Sequence, residues 1–254
     1  MGATIRVAAA GDVHCDERTR PRVERAFAAI SREADLVLLA GDLTTHGRPE
    51  EAAVLADACR GLDVPVVAVL GNHDLHSDRR DEVVAVVEDA GITLLDQGST
   101  ICDVNATRVG VVGTKGFVGG FPGSSIPDFG ESSLRALYAE TTAEVEAIDR
   151  GLDAVRDCPL RIVLLHYAPT MATLEGEPTG IWNLLGSNRL AAPIGRHRAD
   201  LVVHGHAHEG TFAGAIGAVP VYNVAVQVTG RDFWIFELEP GAERPDVGVE
   251  TSRT

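Results

Sequence analysis

Short apolar runs alternate with amphipathic stretches through the first half of the chain. Ile5 to Ala10, Leu36 to Ala40 and Val66 to Leu70 are almost entirely apolar and of strand length. Runs of this kind, without polar alternation, fit strands that are buried on both faces. Each precedes a segment with helical spacing: Arg22 to Glu33 with Pro21 near its start, Pro49 to Arg60, and Arg79 to Ala90. That βαβ rhythm predicts a parallel sheet with helices packed on it. Shorter strand-like runs follow at Ile92 to Leu95, Thr100 to Val104 and Arg108 to Val112. From Lys115 to Gly130 the chain is rich in Gly, Pro and Ser, too long for a tight turn. A long helix is predicted from Glu131 to Val155.

The second half has a different texture. The apolar run Ile162 to Leu165 leads into a loop reaching about Gly186. A short helix at Arg189 to Arg196 comes next, with Pro193 counting against it. Strands are expected at Leu201 to Val203, Thr211 to Ala215, Val219 to Asn223 and Phe233 to Leu238. Their Gly punctuation predicts a second, more antiparallel sheet. Residues 1–240 read as one domain, and the polar residues 241–254 as a tail expected to fray. A chain of 254 residues can bury a substantial core.

Charge and composition narrow the classes of partner. A net charge of −15 argues against extended nucleic acid or an anionic membrane surface. Bound divalent cations would reverse that sign locally, so a small anionic substrate stays compatible. No apolar run reaches bilayer length, and a strand beginning at Ile5 leaves no room for a signal peptide. The expected location is therefore the cytoplasm, without membrane contact; the sequence leaves the oligomeric state open. Cys15, Cys59, Cys102 and Cys158 are widely spaced and read as reduced, packed side chains rather than a disulfide framework.

Five short motifs stand at or just after the ends of strand-like runs. They are Gly11-Asp12-Val13-His14, Gly41-Asp42, Gly71-Asn72-His73-Asp74, Leu165-His166-Tyr167 and His204-Gly205-His206-Ala207-His208. The carboxyl ends of strands in open α/β sheets are where ligands are handled. Asp12 and His14 lie two apart, so an extended segment would point both the same way, and His206 and His208 repeat the spacing. Imidazole and carboxylate together suit Mn, Fe or Zn better than Mg or Ca. Asp42 offers a carboxylate that can bridge two cations, and Asn72 a neutral amide oxygen. His73 has no evident ligand duty, and Asp74 beside it is placed to orient or charge it. His46 and His76 read equally well as substrate contacts or as exposed loop histidines. His204 is expected to support the neighbouring ligands from behind.

The set resembles the calcineurin-like metallophosphoesterases, whose DxH, GD, GNHD, GxxH-type and GHxH blocks occur here in order over residues 12 to 208. The resemblance implies an α/β fold with a central β-sandwich of two mixed sheets flanked by helices, four layers ordered αββα. It implies two metal ions per chain, Mn, Fe or Zn with Mn or Fe favoured. Asp12, His14 and His208 would hold one metal and Asn72, His166 and His206 the other, with Asp42 bridging. His73 would donate a proton to the leaving group, with Asp74 as its partner. The implied chemistry is in-line attack on phosphorus by a hydroxide held between the metals.

Substrate identity is less constrained. Lys115, His76 and Tyr167 are expected to contact the substrate, with Trp182 and Arg189 as further pocket residues. The segment Gly41 to Thr44 with Gly47 resembles the bacterial phosphodiesterase branch, although Leu75-His76-Ser77 stands where that branch often has Arg. The expected activity is hydrolysis of a small-molecule phosphodiester. A phosphatase acting on monoesters is the alternative, and a non-catalytic metal-binding scaffold of this fold ranks below both.

Overall fold

The computed structural model describes residues 4–241. Its strands in chain order are β1 (Ile5–Ala10), β2 (Leu36–Ala40), β3 (Val66–Val69), β4 (Thr93–Leu94), β5 (Gly98–Val104), β6 (Thr107–Gly113), β7 (Gly120–Phe121), β8 (Ser124–Ser125), β9 (Leu160–Leu164), β10 (Leu201–His204), β11 (Ala213–Ile216), β12 (Val219–Asn223) and β13 (Trp234–Leu238). The α-helices are α1 (Arg20–Ile30), α2 (Pro49–Cys59), α3 (Arg80–Asp89), α4 (Ser132–Ala154), α5 (Trp182–Leu185), α6 (Ala191–His197) and α7 (Val226–Thr229). The expected elements are present, with ends moved by a few residues. Among the described residues no helix is long and apolar enough to cross a membrane. Of the tail expected at 241–254, residues 242–254 lie outside the described residues.

One sheet has the order β13-β1-β2-β3-β4, and a second runs β11-β12-β10-β9-β6-β5. In the first, β1 to β4 are parallel, with Val7 opposite Leu36 and Val37 opposite Val66. The alternate faces of these strands bury into different layers. Val7, Leu36, Leu38 and Val67 meet Val109, Val111, Ile162 and Leu164 of the other sheet. Ala8, Val37 and Leu39 face the opposite way, against Phe27 of α1, Leu55 of α2 and Val83 of α3. Beyond the second sheet, Val163 and Val202 pack under Ile148 and Leu152 of α4 and Ile194 of α6. The order is helices, sheet, sheet, helices, as the family resemblance implied.

Two expectations about the second half need correction. Its sheet is parallel through β12, β10, β9 and β6; only the outer strands β11 and β5 pair antiparallel. Gly marks where a strand stops, but the path between strands decides direction, and the segment between β9 and β10 crosses over through α5 and α6. The final strand also leaves this sheet. β13 pairs antiparallel with β1, Val7 opposite Phe236, and closes the edge of the first sheet. Pro193 is accommodated in the first turn of α6, where an intrahelical amide donor is not required.

Candidate metal centre

The first three motifs follow β1, β2 and β3 of one sheet, and the last two follow β9 and β10 of the other. Packing the sheets face to face brings all five loops to one end of the sandwich. Ligand atoms of Asp12, His14 and His208 lie within 4.8 Å of one another, as do those of Asp42, His166 and His206. His14, Asp42 and His73 form a third group by the same measure. Asp42 is thus shared, its Oδ1 3.4 Å from His166 Nε2 and its Oδ2 3.8 Å from His14 Nε2.

The backbone there is not extended. Asp12, His14, Asp42 and His206 have φ of 56°, 47°, 49° and 70°, in the left-handed region. The expectation that Asp12 and His14 share the face of an extended segment is therefore corrected: a turn, not a pleat, brings their side chains together. Each such residue costs about 1–3 kcal/mol and persists only where its surroundings over-determine it. Here the amides of Asp12, His14 and Cys15 donate to the carbonyls of Gly41, Asp42 and Leu43, locking the first loop to the second. Glycines permit the close approach. A Cβ on Gly71 would overlap Asp42 Oδ1, and one on Gly205 would overlap Asp12 Oδ2.

Hydrogen bonds set the lone pairs. His166 Nδ1 lies 2.9 Å from the Ala40 carbonyl, which can only accept, so that nitrogen carries the proton. The Nε2 lone pair then faces Asn72 Oδ1 at 2.9 Å and Asp42 Oδ1 at 3.4 Å. His206 Nε2 donates to the Leu184 carbonyl at 3.3 Å, which leaves Nδ1 as its lone-pair atom. His14 Nδ1 is buried without a hydrogen-bond partner among the described residues. Converging acceptors, oriented from behind by carbonyls, are what a bound cation requires, so the donor set fits a metal.

Burial holds His206 down at about 3, and burial also lowers His14. Both therefore remain neutral lone-pair donors at neutral pH. Burial would raise the Asp12 carboxyl, but the bond from His208 Nε2 at 2.8 Å and the bond from the His206 amide bring it below its ordinary value. The same bond raises His208.

His73 is half-exposed, its Nε2 3.9 Å from Asp42 Oδ2. Its Nδ1 donates to the Thr45 carbonyl at 2.8 Å, which takes the place expected for Asp74. This is a second correction. Asp74 is fully buried and accepts from the amides of Leu43, Thr44 and Gly71 and from the Thr44 hydroxyl, tying the second loop to the third. Burial, then the charge of Asp42, pushes Asp74 up to about 6 against the pull of the Gly71 amide and the Thr44 hydroxyl and amide.

Tyr167 is buried, its ring 4.4 Å from that of His206 and 5.4 Å from that of His166. Lys115 stands over Phe117 and Tyr167, its ammonium 3.5 Å from Glu140 and bonded to the Gly116 carbonyl. The Lys115 carbonyl accepts from the amides of both His166 and Tyr167. His76 is exposed, with its ring 6.4 Å from that of His46. Arg189 is committed to α4, bonding the Tyr138 carbonyl and Thr142 and stacking on Tyr138. Trp182 donates to the Glu177 carbonyl and packs toward Phe121 and Leu185. His204 is buried against Thr173 and the Gly205 carbonyl and held at about 4 by burial, behind the ligands rather than among them. Sequence reasoning missed the carbonyls of Ala40, Thr45 and Leu184 and the hydroxyl of Thr44. Only Thr44 left a trace, two residues after Asp42.

Comparison with known proteins bears on the family and the fold. Residues 5–210 match the family model described as calcineurin-like phosphoesterase. A Synechococcus sp. protein named probable cyclic nucleotide phosphodiesterase is 40% identical over 57 residues, a stretch covering 22% of this chain and 22% of that relative. The phosphopantetheinyl hydrolase PptH of Mycobacterium tuberculosis shares the fold at a TM-score of 0.65 and 15% identity, over 94% of this chain and 98% of that one. TT1561 of Thermus thermophilus does so at 0.57 and 18% identity, over 92% and 99%. With its family motifs gathered at one end of the matching sandwich, the chain belongs to the calcineurin-like phosphoesterase family.

Proposed function

We propose that the chain is a metal-dependent phosphoric ester hydrolase that cleaves a small-molecule phosphodiester. The observation that carries this reading is Asp42, a buried carboxylate whose oxygens lie close to two groups of side chains that could hold a metal ion. Asp12, His14 and His208 would hold one ion and Asn72, His166 and His206 another. A pair of Mn, Fe or Zn ions, when bound, supplies a water of lowered pKa and neutralises charge on the phosphoryl oxygens. The Ala40 and Leu184 carbonyls keep His166 and His206 in the tautomers that present lone pairs. With Nδ1 committed to Thr45, His73 has Nε2 as the atom that can carry a proton to a departing alkoxide.

A diester is favoured over a monoester on charge. A monoester dianion is best held by a bidentate Arg beside its terminal oxygens. Arg189 is engaged on α4, and Lys115 is neutralised by Glu140. Lys115, Tyr167 and His76 remain the proposed substrate contacts, Tyr167 through its position beside His206. The deciding measurement is kcat/KM for matched aryl mono- and diesters of phosphate with Mn²⁺. A higher value for the diester is expected. A clear advantage for the monoester would make the protein a phosphatase, and no hydrolysis of either would favour the scaffold reading. The proposed setting is cytoplasmic.

A further inference from the structure

The left-handed turn that carries Asp12 and His14 leaves its carbonyls outside any strand ladder, yet each of the three accepts from a side chain. Gln227 of α7 donates its Nε2 to Asp12 O at 3.3 Å. Arg22 of α1 donates Nη2 to Val13 O at 3.1 Å, while its Nε lies 3.6 Å from Asp232. Thr45, beyond β2, donates its hydroxyl to His14 O at 2.9 Å and approaches Cys15 O at 3.2 Å. Side chains 9, 31 and 215 residues away along the chain therefore grip three consecutive residues.

We propose that Thr45, Arg22 and Gln227 are positioning residues that clamp this turn in the form able to bind metal, with Thr45 the principal member. The proposal rests on the reading of Asp12 and His14 as metal ligands. Thr45 has the central place because it acts twice. Its hydroxyl holds the His14 backbone, while its own carbonyl fixes the His73 ring, and those two rings lie 4.6 Å apart. One residue thus sets the spacing between a ligand of the first metal and the proton donor. Without the hydroxyl, the turn can relax toward backbone conformations that non-glycine residues prefer. Metal binding must then select the competent conformer from a mixture, which lowers apparent affinity by the fraction populated.

The test is Mn²⁺ titration calorimetry on the full-length protein and on Thr45→Val, which deletes the hydroxyl while keeping side-chain shape and the backbone carbonyl. Loss of one hydrogen bond of ordinary strength corresponds to binding about five- to tenfold weaker. Turnover of an aryl phosphodiester should return at saturating Mn²⁺, and Thr45→Ser should restore both affinity and turnover. A residue needed only for folding would instead lower the melting midpoint of the metal-free protein and leave Mn²⁺ affinity unchanged. Gln227→Leu and Arg22→Met provide independent variants at exposed or half-exposed positions, each expected to weaken Mn²⁺ binding in the same direction. Wild-type Mn²⁺ affinity in Thr45→Val, or weakened affinity that Thr45→Ser does not restore, would overturn the clamp. Wild-type protein that binds no Mn²⁺ would overturn the metal centre itself, and the clamp with it.

Discussion

Replacing Gly71 by Ala adds one methyl group at the tightest point of the centre. Gly71 is not among the residues with positive φ, so its backbone conformation is open to alanine and any penalty must come from contact. The new Cβ would overlap Asp42 Oδ1 and the Asp42 amide nitrogen and lie 2.8 Å from Asp42 Cγ. Asp42 is 1% exposed, so its carboxylate has no solvent to move into. Overpacking of this kind costs about 1–3 kcal/mol. Displacing Asp42 Oδ1 also breaks its 2.8 Å bond from the His73 amide, a bond to a charged group worth about 1.5–3 kcal/mol. Reduced entropy of the unfolded chain returns about 0.4–1 kcal/mol. The net loss is about 2–5 kcal/mol, or about 5–15 °C in melting midpoint for a chain of this size. Gly180 has open space around its missing Cβ, so Gly180→Ala is the matched control and should be nearly neutral. The assay is thermal unfolding of both metal-free variants, followed by Mn²⁺ titration. A Gly71→Ala protein that melts and binds Mn²⁺ like Gly180→Ala would refute the reasoning.

Asp42→Ala should abolish binding of both ions together, whereas His208→Ala should spare one; two ions per chain retained at normal affinity in Asp42→Ala, measured by metal content, would remove Asp42 from the bridge. His73→Ala should keep its metals and lose about 10²–10⁴-fold in turnover, most severely with alkyl leaving groups, as steady-state rates on alkyl and activated aryl diesters would reveal. The bidentate bond from Arg6 holds the Asp35 carboxyl below its ordinary value. A depressed folded pKa stabilises the protein above the unfolded value of about 3.9, and that contribution disappears as pH falls through the lower folded value. Asp35→Asn should therefore lower stability at neutral pH and flatten its fall below about pH 4, seen as melting midpoint against pH.

Much of this protein is legible in its residues. Strands such as Leu36 to Ala40 announce themselves because burial on both faces demands an unbroken apolar run. The candidate ligands are legible because each sits within a few residues of a strand end. Gly71 and Gly205 stand among them because a side chain there would collide with Asp42 or Asp12. Strand direction in the second sheet and the return of β13 to β1 were decided in three dimensions, since Gly punctuation carries no information about crossover paths. The same limit applies inside the centre. Asp74 follows His73 in sequence yet bonds Thr44, 30 residues away, while His73 turns to the Thr45 carbonyl. Backbone carbonyls are identical in every residue, so no pattern of side chains says which one will orient His166, His206 or His73. The left-handed turns at Asp12, His14, Asp42 and His206 are equally invisible, because none of these residue types requires that conformation. Side-chain chemistry and burial periodicity are local properties and were determined by sequence. Tautomers, turn geometry and the clamp on the first motif depend on atoms that only tertiary packing brings together.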